Sequence, residues 1–304
     1  MKRLFFVLIF LFAFSVLGAN GQPRENFPYV SVPYYIVSDG VADAEWVALH
    51  FWDRYDFASC DSRYEPMANR EGFMTFVNTL YATSPKCSFT AVEAMMTKAA
   101  VSEDAYWHFL ELAEVVLYDP SSPLRNDLLW EPFVRHAVGE RSPLDDDSKS
   151  RYRTLLTLVS RNQQGTIATD FVYTLANGKQ GRLHDIKAPF TLLWFYNAGC
   201  SECARTKAEI EATGYLDMLH SVGALAVLAL YPDTELDKWR KALPENPSWW
   251  ISAYDKGQVI LRQNLYDLKA TPTIYLLDAE KRVIMKDPTV EDLLGVLDSI
   301  CYGG

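Results

Sequence analysis

The apolar positions of this chain change period partway along. Phe73, Phe76, Val77, Leu80 and Tyr81 recur at i, i+3, i+4, i+7 and i+8, one face of an amphipathic helix. Thr90 and Glu93 have the spacing of a capping box and predict a helix from there to about Ala100. Between Ala105 and Tyr118 the apolar residues point more than one way (Trp107, Phe109, Leu110, Ala113, Val116, Leu117), which places that helix centrally in a bundle. Asp119-Pro120 stops it, Pro132 is expected to break or kink the next, and Tyr152, Leu155, Leu156 and Val159 mark a last amphipathic one. Short connections suit antiparallel packing. The aromatic residues Trp46, Phe51, Trp52, Tyr55 and Phe57 fit a core, with a binding groove as the alternative.

Past the polar stretch Ser160–Gly165 the pattern is that of strands. Phe171–Leu175 followed by Asn177-Gly178 predicts a hairpin. Apolar runs at Phe190–Tyr196, Ala224–Tyr231 and Ile251–Tyr254 read as strands, as does Ala270–Asp278, which carries Pro272 near its start. Arg282–Lys286 reads as an edge strand reached through the turn Asp278–Lys281. Helices are expected after Cys200, at Asp237–Ala242, at Val259–Leu268, and after Thr289, where Val290, Leu293, Leu294, Leu297 and Ile300 share a face. The alternation predicts an α/β unit, a mixed central sheet with helices on both faces, preceded by a mostly α-helical domain.

The first residues belong to neither unit. Lys2 and Arg3 precede an apolar run from Leu4 to Leu17, and Leu17-Gly18-Ala19 offers small residues for cleavage. The run is shorter than the roughly 20 residues that span a bilayer. Residues 1–19 are therefore expected to be a signal peptide, 20–160 the helical domain and 161–304 the α/β domain. The mature chain is expected to be exported or periplasmic, with no stable membrane span. Asn26–Ser38, rich in Pro and Tyr, is expected to be extended. A formal charge of −10, falling to −12 without Lys2 and Arg3 (−10 minus 2), argues against nucleic acid or an anionic membrane surface as partner.

The chemistry sits in Cys200-Ser201-Glu202-Cys203. A buried strand ends in Asn197-Ala198-Gly199, and a helix follows, so Cys200 lies at a helix N-terminus. Orphan N–H groups and the helix dipole favour an anion there, and a thiolate is such an anion. Cys203, one turn on, is close enough to displace a mixed disulfide. Half of a zinc site is the competing reading, but Cys60, Cys87 and Cys301 are isolated and no His pair has ligand spacing. Cys60 and Cys87 either form a disulfide closing 26 intervening residues (61 to 86), worth about 3 kcal/mol by loop entropy, or are two buried thiols. Cys301 has no evident partner. No metal and no cofactor beyond the dithiol is expected.

Ala168-Thr169-Asp170-Phe171, Thr191–Tyr196, Cys200–Cys203, Tyr266-Asp267-Leu268 and Thr271-Pro272-Thr273 occur in an order that resembles a thioredoxin-like domain of the exported TlpA/ResA type, from about Gly165 to Ile300. The segment before it resembles a helical domain of unassigned function that precedes such domains in some Gram-negative proteins. The resemblance implies a thiol–disulfide oxidoreductase: Cys200 attacks, Cys203 resolves, Thr271 and Pro272 (in a cis peptide bond) hold the partner backbone, and Ser201 and Glu202 tune the helix end. Its partners would be protein disulfides or dithiols and an upstream thiol electron donor. Separately, the Glu202 carboxylate between the cysteines and the lack of a histidine in the C-x-x-C predict a reducing poise. Three positions depart from the family pattern. Trp194 replaces a buried acid, Thr206 replaces a glutamate, and Gly199 replaces a tryptophan. The acceptor for the Cys203 proton is thereby left to Glu202, Glu209 or water. Two other functions compete. A peroxidase of the peroxiredoxin kind wants threonine where Asn197 stands, and a binding or scaffold protein would act through the helical domain.

Overall fold

The computed structural model describes residues 27–30, 40–59 and 66–303. The expected signal peptide, most of the Pro- and Tyr-rich segment and Cys60 lie outside the described residues.

Six helices come first: α1 (Gly40–His50), α2 (Pro66–Tyr81), α3 (Pro85–Ala99), α4 (Glu103–Leu117), α5 (Asp127–Val138) and α6 (Asp146–Ser160). Their starts follow from local chemistry. Ser102, Asn126 and Asp145 cap α4, α5 and α6 by accepting backbone N–H groups that the first helical turn leaves free. The start of α3 differs from the capping-box reading. Ser84 is its N-cap and Pro85 its first residue, so Thr90 lies inside the helix and its hydroxyl bonds back to the Lys86 carbonyl. Proline suits that first position because the N–H it lacks would be unpaired anyway. Pro132 does not end α5, which runs on to Val138.

Four of the five aromatic positions resolve as core, while Trp46 is half-buried and stacks on His50 at 4.5 Å. Phe51, Trp52 and Phe57 are buried, and Tyr55 packs on them. Phe109, on the central α4, lies 5.0 Å from the Trp52 ring and 5.5 Å from that of Phe57. Aromatic pairs at such separations add roughly 0.5–1.5 kcal/mol each beyond burial.

The second half is a seven-stranded sheet. It contains β1 (Val172–Leu175), β2 (Gln180–Arg182), β3 (Phe190–Phe195), β4 (Leu225–Tyr231), β5 (Ile251–Tyr254), β6 (Thr273–Leu277) and β7 (Val283–Lys286), in the order β2-β1-β5-β4-β3-β6-β7. β3 and β4 pair in parallel, as do β4 and β5, while β6 runs antiparallel to β3. Successive residues of a strand face opposite sides. In β3, Leu192 and Trp194 enter one core, and Leu193 and Phe195 enter the other. A strand covered on both faces has no polar side, which explains its unbroken apolar run.

The helices of this half are α7 (Ser201–Glu211), α8 (Tyr215–Ser221), α9 (Leu236–Ala242), α10 (Val259–Arg262) and α11 (Val290–Tyr302). Ile210 of α7, Leu216 and Leu219 of α8, and Leu293 and Leu297 of α11 fill the Trp194 side. Helix α10 is shorter than the expected Val259–Leu268. The backbone turns left-handed at Asn264 (φ 50°), and from there to β6 the chain is irregular. No helix among the described residues is long and apolar enough to cross a membrane. A helical region followed by a mixed α/β sheet of thioredoxin-like fold is the architecture.

Candidate functional site

Strand β3 delivers the chain to the sheet's end, and Asn197-Ala198-Gly199 turns it into α7. Gly199 has φ +78°, a left-handed conformation that a residue bearing Cβ adopts at a cost. A tryptophan in this conformation would be strained. Cys200 is then the N-cap of α7, and its Sγ accepts the Cys203 N–H at 3.0 Å. Cys200 and Cys203 are joined as a disulfide, with Cα atoms 5.2 Å apart. Cys203 is 5% exposed, whereas Cys200 is half-buried. An incoming group therefore meets Cys200 first.

Thr271 faces that sulfur, with its carbonyl oxygen 3.4 Å and its Oγ1 3.6 Å from Cys200 Sγ. The Thr271–Pro272 peptide bond is cis. Strand β6 begins at the next residue, where Thr273 pairs with Phe195. Neither the N–H nor the carbonyl of Thr271 is bonded to another backbone group among the described residues. Cys200, Cys203, Thr271 and Pro272 are thus brought together from positions about 70 residues apart.

Ser201 and Glu202 lie on the exposed side of the same turn. The Arg205 guanidinium donates to the Glu202 carboxylate and holds it below the usual glutamate range. Arg205 also reaches Glu209, at 3.4 Å. Both acids considered for the Cys203 proton are therefore engaged on the exposed face, and Glu202 is a weakened base. The other side of the turn offers a further acid. A hollow of about 190 Å³ beside Cys203 is lined by Trp194, Tyr196, Lys207, Glu245 and Asn246. Asn246 Nδ2 donates to the Tyr196 hydroxyl at 3.3 Å, and the Lys207 ammonium donates to the Glu245 carbonyl. Glu245 is the acid that lines this hollow. It is exposed at the end of the 3-10 turn Leu243–Glu245, with no motif, so only the fold identifies it. Trp194, at the position of the family's buried acid, is 2% exposed, with its ring centroid 6.1 Å from that of Trp250. Thr206, at the family's glutamate position, is 3% exposed.

The helical half reaches the same region through a buried charge cluster. Asp127, in the first turn of α5, takes Lys269 at 2.6 Å and Lys286 at 2.7 Å, and these side chains are only 12%, 7% and 8% exposed. Burial alone would raise the Asp127 pKa, but the two ammonium groups more than offset it and the carboxyl is lowered. Tyr118 donates its hydroxyl to Asp267 at 3.0 Å, and its ring lies 4.4 Å from Lys269 Nζ. Burial pushes both Asp267 and Asp287 up from the ordinary aspartate range. Lys269 and Asp267 flank the approach to Thr271, so the helical half anchors that loop.

Cys87 carries a free, buried thiol whose Sγ lies 3.7 Å from the Glu45 carbonyl oxygen, and burial pushes its pKa up. Cys60, the other half of the pair considered for a disulfide, lies outside the described residues. Cys301 is free and half-buried on α11.

Comparison with known proteins extends over both halves. No curated protein matches the chain. Residues 14–162 match the family model of a domain of unknown function, DUF5106. The C-terminal domain of an uncharacterized Bacteroides fragilis protein is 41% identical over 45% of this chain and 98% of its own, with a TM-score of 0.44. A conserved Bacteroides fragilis protein of unknown function is 38% identical over 44% of this chain and 98% of its own, with a TM-score of 0.43. The crystal structure of a thioredoxin-like protein from Bacteroides caccae is similar over 90% of this chain and 98% of its own, at 34% identity and a TM-score of 0.84. With that likeness running through the helical half and the Cys200–Cys203 sheet alike, the chain belongs to the thioredoxin-like protein family.

Proposed function

We propose that the chain is an exported thiol–disulfide oxidoreductase of the TlpA/ResA kind that reduces disulfides in partner proteins. The observation that carries this reading is Cys200 Sγ at the N-cap of α7, accepting a backbone N–H and facing Thr271, whose backbone makes no backbone hydrogen bond among the described residues. A sulfur in that position is stabilised as thiolate, and thiolate is the nucleophile in exchange. Export is proposed from Lys2, Arg3 and the apolar run that follows them.

The cycle starts from the reduced dithiol. The Cys200 thiolate attacks one sulfur of a partner disulfide; the partner S–S bond breaks, and the released partner thiolate takes a proton from water. The chain and the partner are then joined through Cys200. Cys203 loses its proton to water, which reaches it through the hollow that the exposed Glu245 also lines, and attacks Cys200 Sγ. The second partner sulfur leaves as thiolate, and the chain is left with the Cys200–Cys203 disulfide present in the structure. Two electrons have passed to the partner. An upstream dithiol donor restores the reduced state by the reverse exchange. Thr271 and Pro272 hold the partner segment, with Thr271 supplying backbone groups for an extended chain. Ser201 and Glu202 tune the helix end, the latter moderated by Arg205.

Trapping tests the reading. In non-reducing gels of periplasmic extract, Cys203→Ser is expected to accumulate partner adducts on Cys200, because attack survives and resolution is lost. Cys200→Ser is expected to give none. Adducts in the Cys200→Ser strain would reverse the assignment. Absence of adducts in both strains, with no insulin reduction by the wild type, would favour a binding role for the helical half.

A further inference from the structure

One groove beside the disulfide takes its walls from both halves of the chain. It encloses about 270 Å³. Thr271 and Pro272 form one side, Glu202 and Arg205 enter from the start of α7, and Pro120 and Arg125 come from the connection between α4 and α5. That connection is held from several directions. Asn126 N–H donates to the Leu117 carbonyl at 2.8 Å, and Ser122 Oγ donates to the Val116 carbonyl at 2.5 Å. Arg125 is the strut. Its guanidinium donates to the Pro120 carbonyl at 3.0 Å and, across the interface, to the Asp287 and Pro288 carbonyls at 3.0 and 3.4 Å. Its Nε is 3.6 Å from the Asp287 carboxylate.

The charges of the groove cancel within its walls. Glu202 is paired with Arg205 and Asp287 with Arg125, so no cation or anion is left to select a charged ligand. What the groove offers instead is the Thr271 backbone, whose N–H and carbonyl make no backbone hydrogen bond among the described residues, with the Pro120 ring belonging to the other wall. An extended, uncharged polypeptide fits that offer: its backbone can pair with Thr271 while apolar side chains meet proline. A small disulfide needs only the half-buried but accessible Cys200.

We propose that the Asp119–Arg125 segment of the helical domain is the second wall of the partner site, and that it selects an extended, uncharged segment flanking the partner's reacting cysteine. In this arrangement Pro120 sets the width of the groove and Arg125 is a positioning residue that fixes Pro120 against the sheet. The inference rests on the exchange reading, and its test separates the two. Reduced Cys203→Ser full-length protein is mixed with either 5,5′-dithiobis(2-nitrobenzoate) or a short uncharged peptide whose single cysteine is blocked as a thionitrobenzoate mixed disulfide. In both reactions the Cys200 thiolate forms the new S–S bond and one coloured thionitrobenzoate anion leaves. Pro120→Trp, placed on this background to narrow the groove, is expected to lower the peptide rate by about fivefold or more while the small-probe rate stays within about twofold. Arg125→Ala is expected to move the same ratio in the same direction. An unchanged peptide-to-small-probe ratio in both variants overturns the inference and leaves the exchange reading standing. Release from neither probe by the unsubstituted groove overturns the exchange reading, and this inference with it.

Discussion

Removing the Asp127 carboxylate is expected to be among the most damaging single changes at the interface of the two halves. The side chain sits between Lys269 at 2.6 Å and Lys286 at 2.7 Å, all three being 12% exposed or less. Asp127→Ala leaves Lys286 with carbonyl acceptors but no paired carboxylate, and Lys269 with only the more distant Asp267, at 3.8 Å. Breaking a buried ion pair in this way costs about 3–5 kcal/mol, against about 0.2–1 kcal/mol for an exposed pair such as Lys238–Glu235. Asp127 also occupies the first turn of α5, where a negative charge is favoured by about 0.3–1 kcal/mol. At about 2.1 cal/mol/K per residue for unfolding entropy, the loss corresponds to a Tm lower by roughly 5–8 °C. Differential scanning calorimetry reads this directly. Because the folded-state carboxyl is lowered below its unfolded value, its stabilisation is fully present above about pH 4 and disappears as pH falls through the folded pKa. The gap between wild type and Asp127→Asn is therefore expected to narrow on acidification below about pH 4. A triple variant, Asp127→Leu with Lys269→Met and Lys286→Met, is expected to recover part of the loss, since an apolar replacement of a buried ionic cluster is often neutral or better while Asp267 loses Lys269. A loss below about 1 kcal/mol for Asp127→Ala would mean the cluster behaves as a surface pair, and the anchoring of the Thr271 loop by the helical half would be refuted.

Two further changes probe separate features. Gly199→Ala places Cβ on a residue with φ +78°, 3.3 Å from Lys238 Cε, and is expected to cost about 1–2 kcal/mol in urea unfolding; a neutral result would contradict the left-handed turn before Cys200. Phe133→Ala empties a fully buried site, its ring 5.9 Å from that of Phe73, and is expected to cost about 3–5 kcal/mol while thiol reactivity at Cys200, measured by alkylation, is unchanged.

The sheet half was legible in sequence because its strands announce themselves twice, by apolar runs covered on both faces and by the turns between them. Phe190–Tyr196 and Ala224–Tyr231 correspond to β3 and β4 with little error. The Cys200 position was equally legible, since a strand, a glycine turn and C-x-x-C fix a helix N-cap locally. Helix α10 was not. The spacing of Val259–Leu268 is helical, yet Asn264 adopts φ 50° and ends the helix early, a choice tertiary packing makes. The start of α3 was misplaced because two capping signals lie six residues apart and Pro85 settles the competition for Ser84. The Asp127–Lys269–Lys286 cluster and the Pro120–Arg125 wall had no local signal at all. Their members are up to about 160 residues apart and look like ordinary surface charges and a loop until the two halves meet. Glu245 beside the Cys203 hollow belongs with them.

The reduction potential of the Cys200–Cys203 pair tests the central claim most directly. Strong oxidants of this fold owe their potential to a very stable thiolate. Here Glu202 places a carboxylate between the two cysteines, held ionised by Arg205, and no histidine or other cation sits in the C-x-x-C to favour the thiolate further. Equilibration with glutathione or dithiothreitol redox buffers, followed by alkylation and mass analysis, is expected to give a value nearer roughly −270 mV than roughly −120 mV. A value above about −180 mV would contradict the reducing direction, and one far below about −300 mV would make the pair an inert structural bond.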